Sequence, residues 1–127
     1  MATILVVDDE LDVVRMVART LEARGHTVEV ARDGEAALVL IARQAPDLLL
    51  VDANLPRIDG AAVGRRVRAE PATRALPIVL MSAAYVSLTE AASEGGADEL
   101  VMKPFVRETL IRNVERLLAQ RPAKPPP

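Results

Sequence analysis

Residues 3–10 read TILVVDDE, an apolar run of strand length that ends in three consecutive acids. Similar short apolar runs recur farther along the chain, at 28–31, 48–51, 78–81 and 100–102. Most of these runs do not alternate apolar with polar residues, which is typical of parallel strands that are buried on both faces. Glu29 interrupts the second run, so we expect that strand to lie at an edge of the sheet.

Segments with helical periodicity separate the apolar runs. Apolar residues recur every three or four positions over 11–21 and 110–118, with charged residues on the opposite face. Asp33-Gly34 and Asp59-Gly60 mark the starts of two more helices, and an alanine-rich segment near 87–94 predicts another. This alternation predicts an α/β domain with right-handed crossovers. Five βα units are too few for a (β/α)8 barrel, so we expect an open, doubly wound, five-stranded parallel sheet.

Length and composition exclude several classes of protein. The 127 residues suit one domain, and a hydrophobic content of 50% excludes disorder over most of the chain. The absence of cysteine excludes disulfide frameworks, thiolate zinc sites and thiol nucleophiles. A net charge of −2 does not suit a nucleic-acid binder. No apolar run could span a membrane and no signal peptide is recognisable, so we expect a cytoplasmic domain without membrane or nucleic-acid contacts.

The end of the chain differs in composition from the rest. Residues 121–127 read RPAKPPP, which cannot continue a helix and predicts an extended, proline-rich segment. We therefore expect one domain over residues 1–120, followed by a tail or a linker over 121–127.

Polar residues directly follow most of the predicted strands. At these positions stand Asp8, Asp9 and Glu10, then Asp52, Ser82 and Lys103. Ligands bind beyond the carboxyl ends of the strands in such sheets, so we expect these side chains on one rim. Each residue alone has an ordinary explanation, such as a helix cap for Asp8 or Asp9 and a turn for Asp52. Three carboxylates about 5 Å apart, however, repel one another by roughly 3 kcal/mol per pair, which indicates a site that holds a cation.

The residue types at this rim indicate which cation and which chemistry. A set of oxygen ligands without histidine or cysteine favours Mg²⁺, with Mn²⁺ as an alternative ion, over zinc. Mg²⁺ bound by a few carboxylates is typical of sites that handle phosphoryl groups. Carboxylates can form acyl phosphates, so Asp52 is the candidate nucleophile. Ser82 and Lys103 would then bind the oxygens of the phosphoryl group.

In order and spacing, these motifs resemble the receiver domain of two-component response regulators. The matching residues are Asp8-Asp9, Asp52 followed by Ala53-Asn54-Leu55-Pro56, Ser82-Ala83 and Lys103-Pro104-Phe105. The resemblance covers about residues 3 to 120 and implies the strand order 2-1-3-4-5, with five helices in a three-layer α/β/α sandwich. It also implies a phosphorylation-controlled signalling switch, which is not an enzyme beyond its own aspartyl phosphorylation and dephosphorylation.

The resemblance implies roles for the acidic residues. Asp52 would accept a phosphoryl group from a phosphohistidine on a sensor histidine kinase or a phosphotransfer protein. Asp9, Asp52 and the backbone carbonyl of Asn54 would bind Mg²⁺ directly. Asp8 would act on the ion largely through water.

The resemblance also implies which residues contact the phosphoryl group and transmit the signal. Lys103 would pair with the phosphoryl oxygens, Ser82 would hydrogen-bond one of them, and the peptide before Pro104 is typically cis. Where the family usually carries a tyrosine or phenylalanine switch residue, this chain has Leu100. We hypothesise that Tyr85, in the loop after Ser82, supplies part of the signal instead.

Other functions and partners stay open. One alternative is a receiver-like interaction module that is not phosphorylated. Another is a small Mg²⁺-dependent phosphohydrolase of the haloacid dehalogenase type, although Glu10 stands where that family's motif has aspartate. The output domain or effector protein is unknown, and a homodimer formed on phosphorylation is compatible with the sequence. We interpret Arg65, Arg66 and Arg68 as a solvated helix face and His26 as a surface residue.

Overall fold

A computed structural model of the chain describes residues 2–83 and 88–120, so Tyr85 and the segment 121–127 lie outside the described residues. Strands and helices alternate through the described part of the chain. The strands are β1 (Thr3–Val7), β2 (Thr27–Ala31), β3 (Leu48–Asp52), β4 (Ile78–Ser82) and β5 (Glu99–Met102). The helices are α1 (Leu11–Glu22), α2 (Gly34–Arg43), α3 (Gly60–Ala69), α4 (Leu88–Gly95) and α5 (Arg107–Gln120).

The strands form one parallel sheet in the order β2-β1-β3-β4-β5, which confirms the expected topology. β2 lies at an edge, as the interruption of its apolar run by Glu29 predicts. Val7 at the end of β1 pairs with Ala31 of β2 and Val51 of β3, and Ser82 pairs with Met102. The strands therefore end together, and the residues that follow them lie along the carboxyl-terminal end of the sheet.

The core consists of two aliphatic layers, one on each face of the sheet. Helices α1 and α5 cover one face, and helices α2, α3 and α4 cover the other. Because β3 and β4 are covered from both sides, every residue of these two strands is buried. This three-layer arrangement explains their continuous apolar runs. In the described part of the chain, no helix combines the length and the apolar character needed to cross a membrane.

Helices α3 and α4 touch through their backbones. A Cβ atom added to Gly64 would lie 1.9 Å from the carbonyl oxygen of Gly95, and one added to Gly95 would lie 2.8 Å from the Cα of Ala61. Glycine at these two positions therefore allows a closer approach than any other residue would. The end of α4 is thereby brought within reach of side chains from α3.

Arginine side chains of α3 use this proximity. The guanidinium of Arg68 donates five hydrogen bonds, to the carbonyl oxygens of Arg74, Leu76 and Gly96 (twice) and to the carboxylate of Asp98. Arg65 donates to the carbonyl oxygen of Glu94 at 2.9 Å. The interpretation of these arginines as a solvated face is confirmed for Arg65 and Arg66, which are exposed. It is wrong for Arg68, because α3 packs against the segment after α4 and the Arg68 side chain is only 24% exposed there.

The interpretation of His26 as a surface residue is also wrong. Its side chain is only 10% exposed, and its Nε2 lies 3.3 Å from Oε2 of Glu115 on α5. Arg24 binds the same carboxylate, with Nη2 at 2.8 Å from Oε1. Burial of His26 results from the packing of α5 over the turn between α1 and β2, a contact across 89 residues that local sequence cannot reveal. His26 precedes β2 and so lies at the amino-terminal end of the sheet, whereas Asp52 lies at the carboxyl-terminal end.

Candidate metal centre

Four carboxylates converge where β1 and β3 end. Asp8, Asp9, Glu10 and Asp52 each offer one oxygen, and these oxygens all lie within 4.8 Å of one another. Asp8 and Asp52 are buried, with 0% and 3% of their surface exposed, whereas Asp9 and Glu10 are exposed. The structure therefore brings together the acids that the strand-end pattern predicted. Glu10 was visible in that pattern without an assigned role, and its carboxylate joins the cluster.

Helix capping does not explain the acidic pair. The N-cap residue of α1 is Glu10, which makes no side-chain capping hydrogen bond. Asp8 instead accepts the backbone N–H of Glu10 at 2.9 Å, so its carboxylate is turned back toward the cluster. By contrast, Asp33 and Asp59 do cap α2 and α3, each accepting a backbone N–H at 2.8 Å. The chain thus separates capping acids from those in the cluster.

Lys103 supplies the positive charge of the site. Its Nζ lies 2.7 Å from Oδ2 of Asp8, 3.3 Å from Oδ2 of Asp52 and 3.5 Å from Oε1 of Glu10. The side chain is 11% exposed. The peptide between Lys103 and Pro104 is cis, as the resemblance implied. One ammonium therefore stands against four carboxylates, and the cluster keeps a net negative charge.

The remaining predicted residues lie at or close to the same carboxyl-terminal end of the sheet. Ser82 is buried at the end of β4, and its carbonyl oxygen accepts the backbone N–H of Lys103 at 2.8 Å. Asn54 is exposed and donates its backbone N–H to Oδ1 of Asp52 at 3.2 Å. Leu100 is partly buried on β5 and packs against the core layer under α2, α3 and α4. The switch roles of Ser82, Leu100 and Tyr85 stay predictions.

One further residue reaches the site without a sequence signal. Arg32, which directly follows β2, donates from Nη2 to the backbone carbonyl oxygen of Asp9 at 2.6 Å. An exposed arginine after an edge strand is ordinary in a sequence. Only the pairing of β2 with β1 shows that its side chain can reach the loop carrying the acids.

Electrostatics at the site follow from burial and from the excess of carboxylates. Burial raises the pKa of Asp52, and the charge of Asp8 raises it further, although the Asn54 N–H and Lys103 act in the opposite direction. Burial lowers the pKa of Lys103, but its hydrogen bond to Asp8 and the charges of Asp8 and Asp52 outweigh this, so its pKa is raised. The site therefore holds its lysine charged and favours the addition of a second cation.

We expect the variant Asp52→Asn to be more stable than the wild-type chain at pH 7. Because the pKa of Asp52 is raised in the folded state, that state binds a proton more tightly than the unfolded chain. The wild-type free energy of unfolding therefore decreases as the pH rises from the ordinary aspartate pKa, about 4, through the raised value. The variant lacks this decrease. Urea unfolding between pH 4 and 8 measures the difference, and equal slopes for the two proteins would contradict the expectation.

The donor set fits a hard divalent cation. All four side chains offer carboxylate oxygens, and the residues in the cluster include neither histidine nor cysteine. Such sets suit Mg²⁺ and Mn²⁺ rather than zinc. Bound close to Asp52, a divalent ion would offset the negative charge that Lys103 alone does not balance.

Comparison with known proteins gives the family. The family model described as the response regulator receiver domain matches residues 4–115. The chain belongs to the response regulator receiver domain family. It is 41% identical over 116 residues to the response regulator MprA of Mycobacterium ulcerans, covering 91% of this chain and 49% of that protein.

Solved structures agree with the family. The chemotaxis protein CheY4 of Vibrio cholerae matches with a TM-score of 0.86 and 30% identity, covering 92% of this chain and 98% of that one. The signal receiver domain of a signal transduction histidine kinase from Syntrophus aciditrophicus matches with a TM-score of 0.88 and 28% identity, over 100% and 98% of the two chains. The chain is thus a two-component signalling domain. It spans about half the length of the curated relatives it matches.

Proposed function

We propose that this receiver domain is a phosphorylation-controlled switch in which Asp52 accepts a phosphoryl group from a phosphohistidine. The observation that carries the proposal is the position of Asp52. Its buried carboxylate lies at the end of a central strand, 3.3 Å from the ammonium of Lys103 and within a cluster of four acids. Mutual repulsion within a cluster that has this excess of negative charge destabilises the folded state, and a bound cation would relieve it. The charge and the donors of the site suit a metal-assisted phosphoryl transfer.

The acids would hold Mg²⁺, or Mn²⁺ as an alternative ion. Asp9, Asp52 and the backbone carbonyl of Asn54 would bind it directly, and Asp8 would act through water. When bound, the ion would neutralise charge that develops on the phosphoryl oxygens. Asp8 is better suited than Asp52 to an indirect role, because both of its oxygens are held more closely. The Glu10 N–H and Lys103 lie 2.9 and 2.7 Å from the oxygens of Asp8, whereas the corresponding contacts of Asp52 are 3.2 and 3.3 Å.

The protein's own groups would carry out the transfer by positioning and charge stabilisation. An oxygen of Asp52 attacks the phosphorus, forming a P–O bond as the P–N bond breaks, and the electron pair of that bond stays on the donor imidazole. Lys103 would pair with the phosphoryl oxygens, and the Ser82 hydroxyl would hydrogen-bond one of them. The domain would catalyse only this phosphorylation and the later hydrolysis of its own acyl phosphate.

The output of the switch would be a change of its partner-binding surface. Phosphorylation adds about one negative charge at the rim and shifts the population between two conformations. Leu100 and Tyr85 are the proposed switch residues alongside Ser82. The domain would act in the cytoplasm. Its partners would be a sensor histidine kinase or phosphotransfer protein, an output domain or effector, and, on phosphorylation, a second copy of the chain. We assign residues 1–120 to the receiver domain and 121–127 to a tail or linker.

Intact-mass spectrometry after incubation with acetyl phosphate and Mg²⁺ tests this proposal. We expect the wild-type chain to gain the mass of one phosphoryl group, and to lose that gain when EDTA removes the metal. The variant Asp52→Asn should show no adduct. Asp59→Asn is the matched control, because Asp59 lies in the same loop but caps α3, and asparagine is an equally good cap.

Two results would contradict the proposal. An adduct on Asp52→Asn equal to that on the wild type would place the acceptor elsewhere. The second contradicting result is no adduct on the wild type, together with no change in its NMR spectrum when beryllofluoride is added. The chain would then be an interaction module that is not phosphorylated.

A further inference from the structure

Arg32 places a cation beside a cluster that attracts cations. Its Nη2 donates to the carbonyl oxygen of Asp9 at 2.6 Å, while its side chain remains exposed at the rim. Within residues 2–83 and 88–120 it forms no ion pair with any carboxylate. The contact is therefore with the backbone of the acidic loop and not with its charges.

The two neighbouring acids of this loop are held in different ways. Asp8 is held at three atoms: its N–H donates to Ala31, one oxygen accepts the Glu10 N–H and the other binds Lys103. The exposed carboxylate of Asp9 accepts no hydrogen bond from the described residues. Its direction thus depends on the backbone that carries it.

The backbone at this point lacks the usual support of a helix start. Glu10 is the N-cap of α1 but makes no side-chain capping bond, unlike Asp33 and Asp59 at α2 and α3. The bond from Arg32 is the contact that ties the Asp9 carbonyl to another element among the described residues. It joins the end of β2 to the loop between β1 and α1, across 23 residues.

We infer that Arg32 is a positioning residue, which fixes the Asp9 peptide so that the carboxylate points into the metal cluster. The inference rests on the proposed function, in which Asp9 binds Mg²⁺. Residues that hold a metal ligand in place typically change metal affinity by about 10–100-fold when they are removed. Arg32 acts on the ligand's backbone, so we expect the lower end of that range.

The sign of the effect separates positioning from electrostatics. A positive charge next to a cation site weakens cation binding, so loss of the Arg32 charge alone would tighten the binding of Mg²⁺. Loss of the hydrogen bond would loosen the Asp9 loop and weaken the binding. The two roles therefore predict opposite changes in Kd.

The test is isothermal titration of Mg²⁺ into the metal-free, unphosphorylated full chain. We expect Arg32→Met, which keeps the aliphatic stem, to raise the Mg²⁺ Kd about tenfold. Arg32→Lys, which keeps the charge and one donor group, should recover part of the loss. Arg43→Met, at the exposed end of α2, is the charge control and should leave Kd unchanged. Melting temperatures in EDTA should match the wild type, because an exposed side chain contributes little to stability.

Each outcome bears on the inference. An unchanged or lower Kd for Arg32→Met would overturn it and leave Arg32 a simple surface charge. A lower melting temperature in EDTA with an unchanged Kd would also overturn it, in favour of a purely structural role. Failure of the wild-type chain to bind Mg²⁺ at millimolar concentration would instead overturn the proposed function, and the inference with it. Wild-type binding that Arg32→Met weakens, and that Arg43→Met leaves unchanged, supports both.

Discussion

Replacing Lys103 with methionine should destabilise the metal-free domain by about 3 kcal/mol at pH 7, the cost typical of a buried ion pair that loses one partner. Lys103 is the cation that binds the buried carboxylates of Asp8 and Asp52, and methionine keeps its length but not its charge. The loss should shrink as the pH falls toward 4, because protonation of Asp52, whose pKa burial raises, removes part of the uncompensated charge. Urea unfolding in EDTA at several pH values measures both effects.

Millimolar Mg²⁺ and a charge-conserving variant act as controls. Mg²⁺ should stabilise Lys103→Met more than the wild type, since the ion replaces part of the missing positive charge. Lys103→Arg, which retains a cation, should cost less than Lys103→Met. Because the pKa of Lys103 is raised, deprotonation of the lysine removes its contribution only above the ordinary lysine pKa of about 10.4. A variant as stable as the wild type at pH 7 would show that the cluster needs no counter-charge.

The second large effect is expected at the contact between α3 and α4. Gly64→Ala should destabilise the domain by about 3 kcal/mol, at the upper end of the usual cost of overpacking. The added methyl carbon would stand 1.9 Å from the Gly95 carbonyl oxygen, and that neighbour is backbone, which cannot rotate away. Thermal or urea unfolding measures the change.

Helix propensity predicts the opposite sign for this substitution. In a helix interior, alanine is more favourable than glycine by about 1 kcal/mol. The pair Arg66→Ala and Arg66→Gly, at an exposed position of the same helix, measures that difference without the contact. If Gly64→Ala proves more stable than the wild type by the amount this pair gives, the close approach of the two helices does not exist in solution.

Much of the fold was predictable because its signals are local. The uninterrupted apolar runs of β3 and β4 indicate strands covered on both faces, and Glu29 marks β2 as an edge. Asp33 and Asp59, each followed by glycine, predict helix starts, and both cap as expected. The acids of the candidate site were predictable for a related reason. The carboxyl ends of parallel strands all lie at one end of the sheet, so the position of a residue that follows a strand can be predicted.

Signals that depend on side chains from distant segments were not predictable. The sequence around Arg68 does not predict that its five donors bind segments beyond α3. The sequence around His26 likewise does not predict that α5 covers it. The contact of Arg32 with Asp9 is of the same kind, because it needs both the pairing of β2 with β1 and the reach of a long side chain.

The sequence by itself therefore determined the order of strands and helices and which residues stand at the strand ends. Both depend on hydrophobic periodicity and on neighbours a few residues apart. The tertiary structure alone decided how close those residues come to one another and which cationic side chain pairs with which carboxylate. It separated the capping acids from the clustered ones, placed Lys103 between Asp8 and Asp52, and set Arg32 against the loop of Asp9. Distances of a few ångströms between elements arise from packing, which no local pattern encodes.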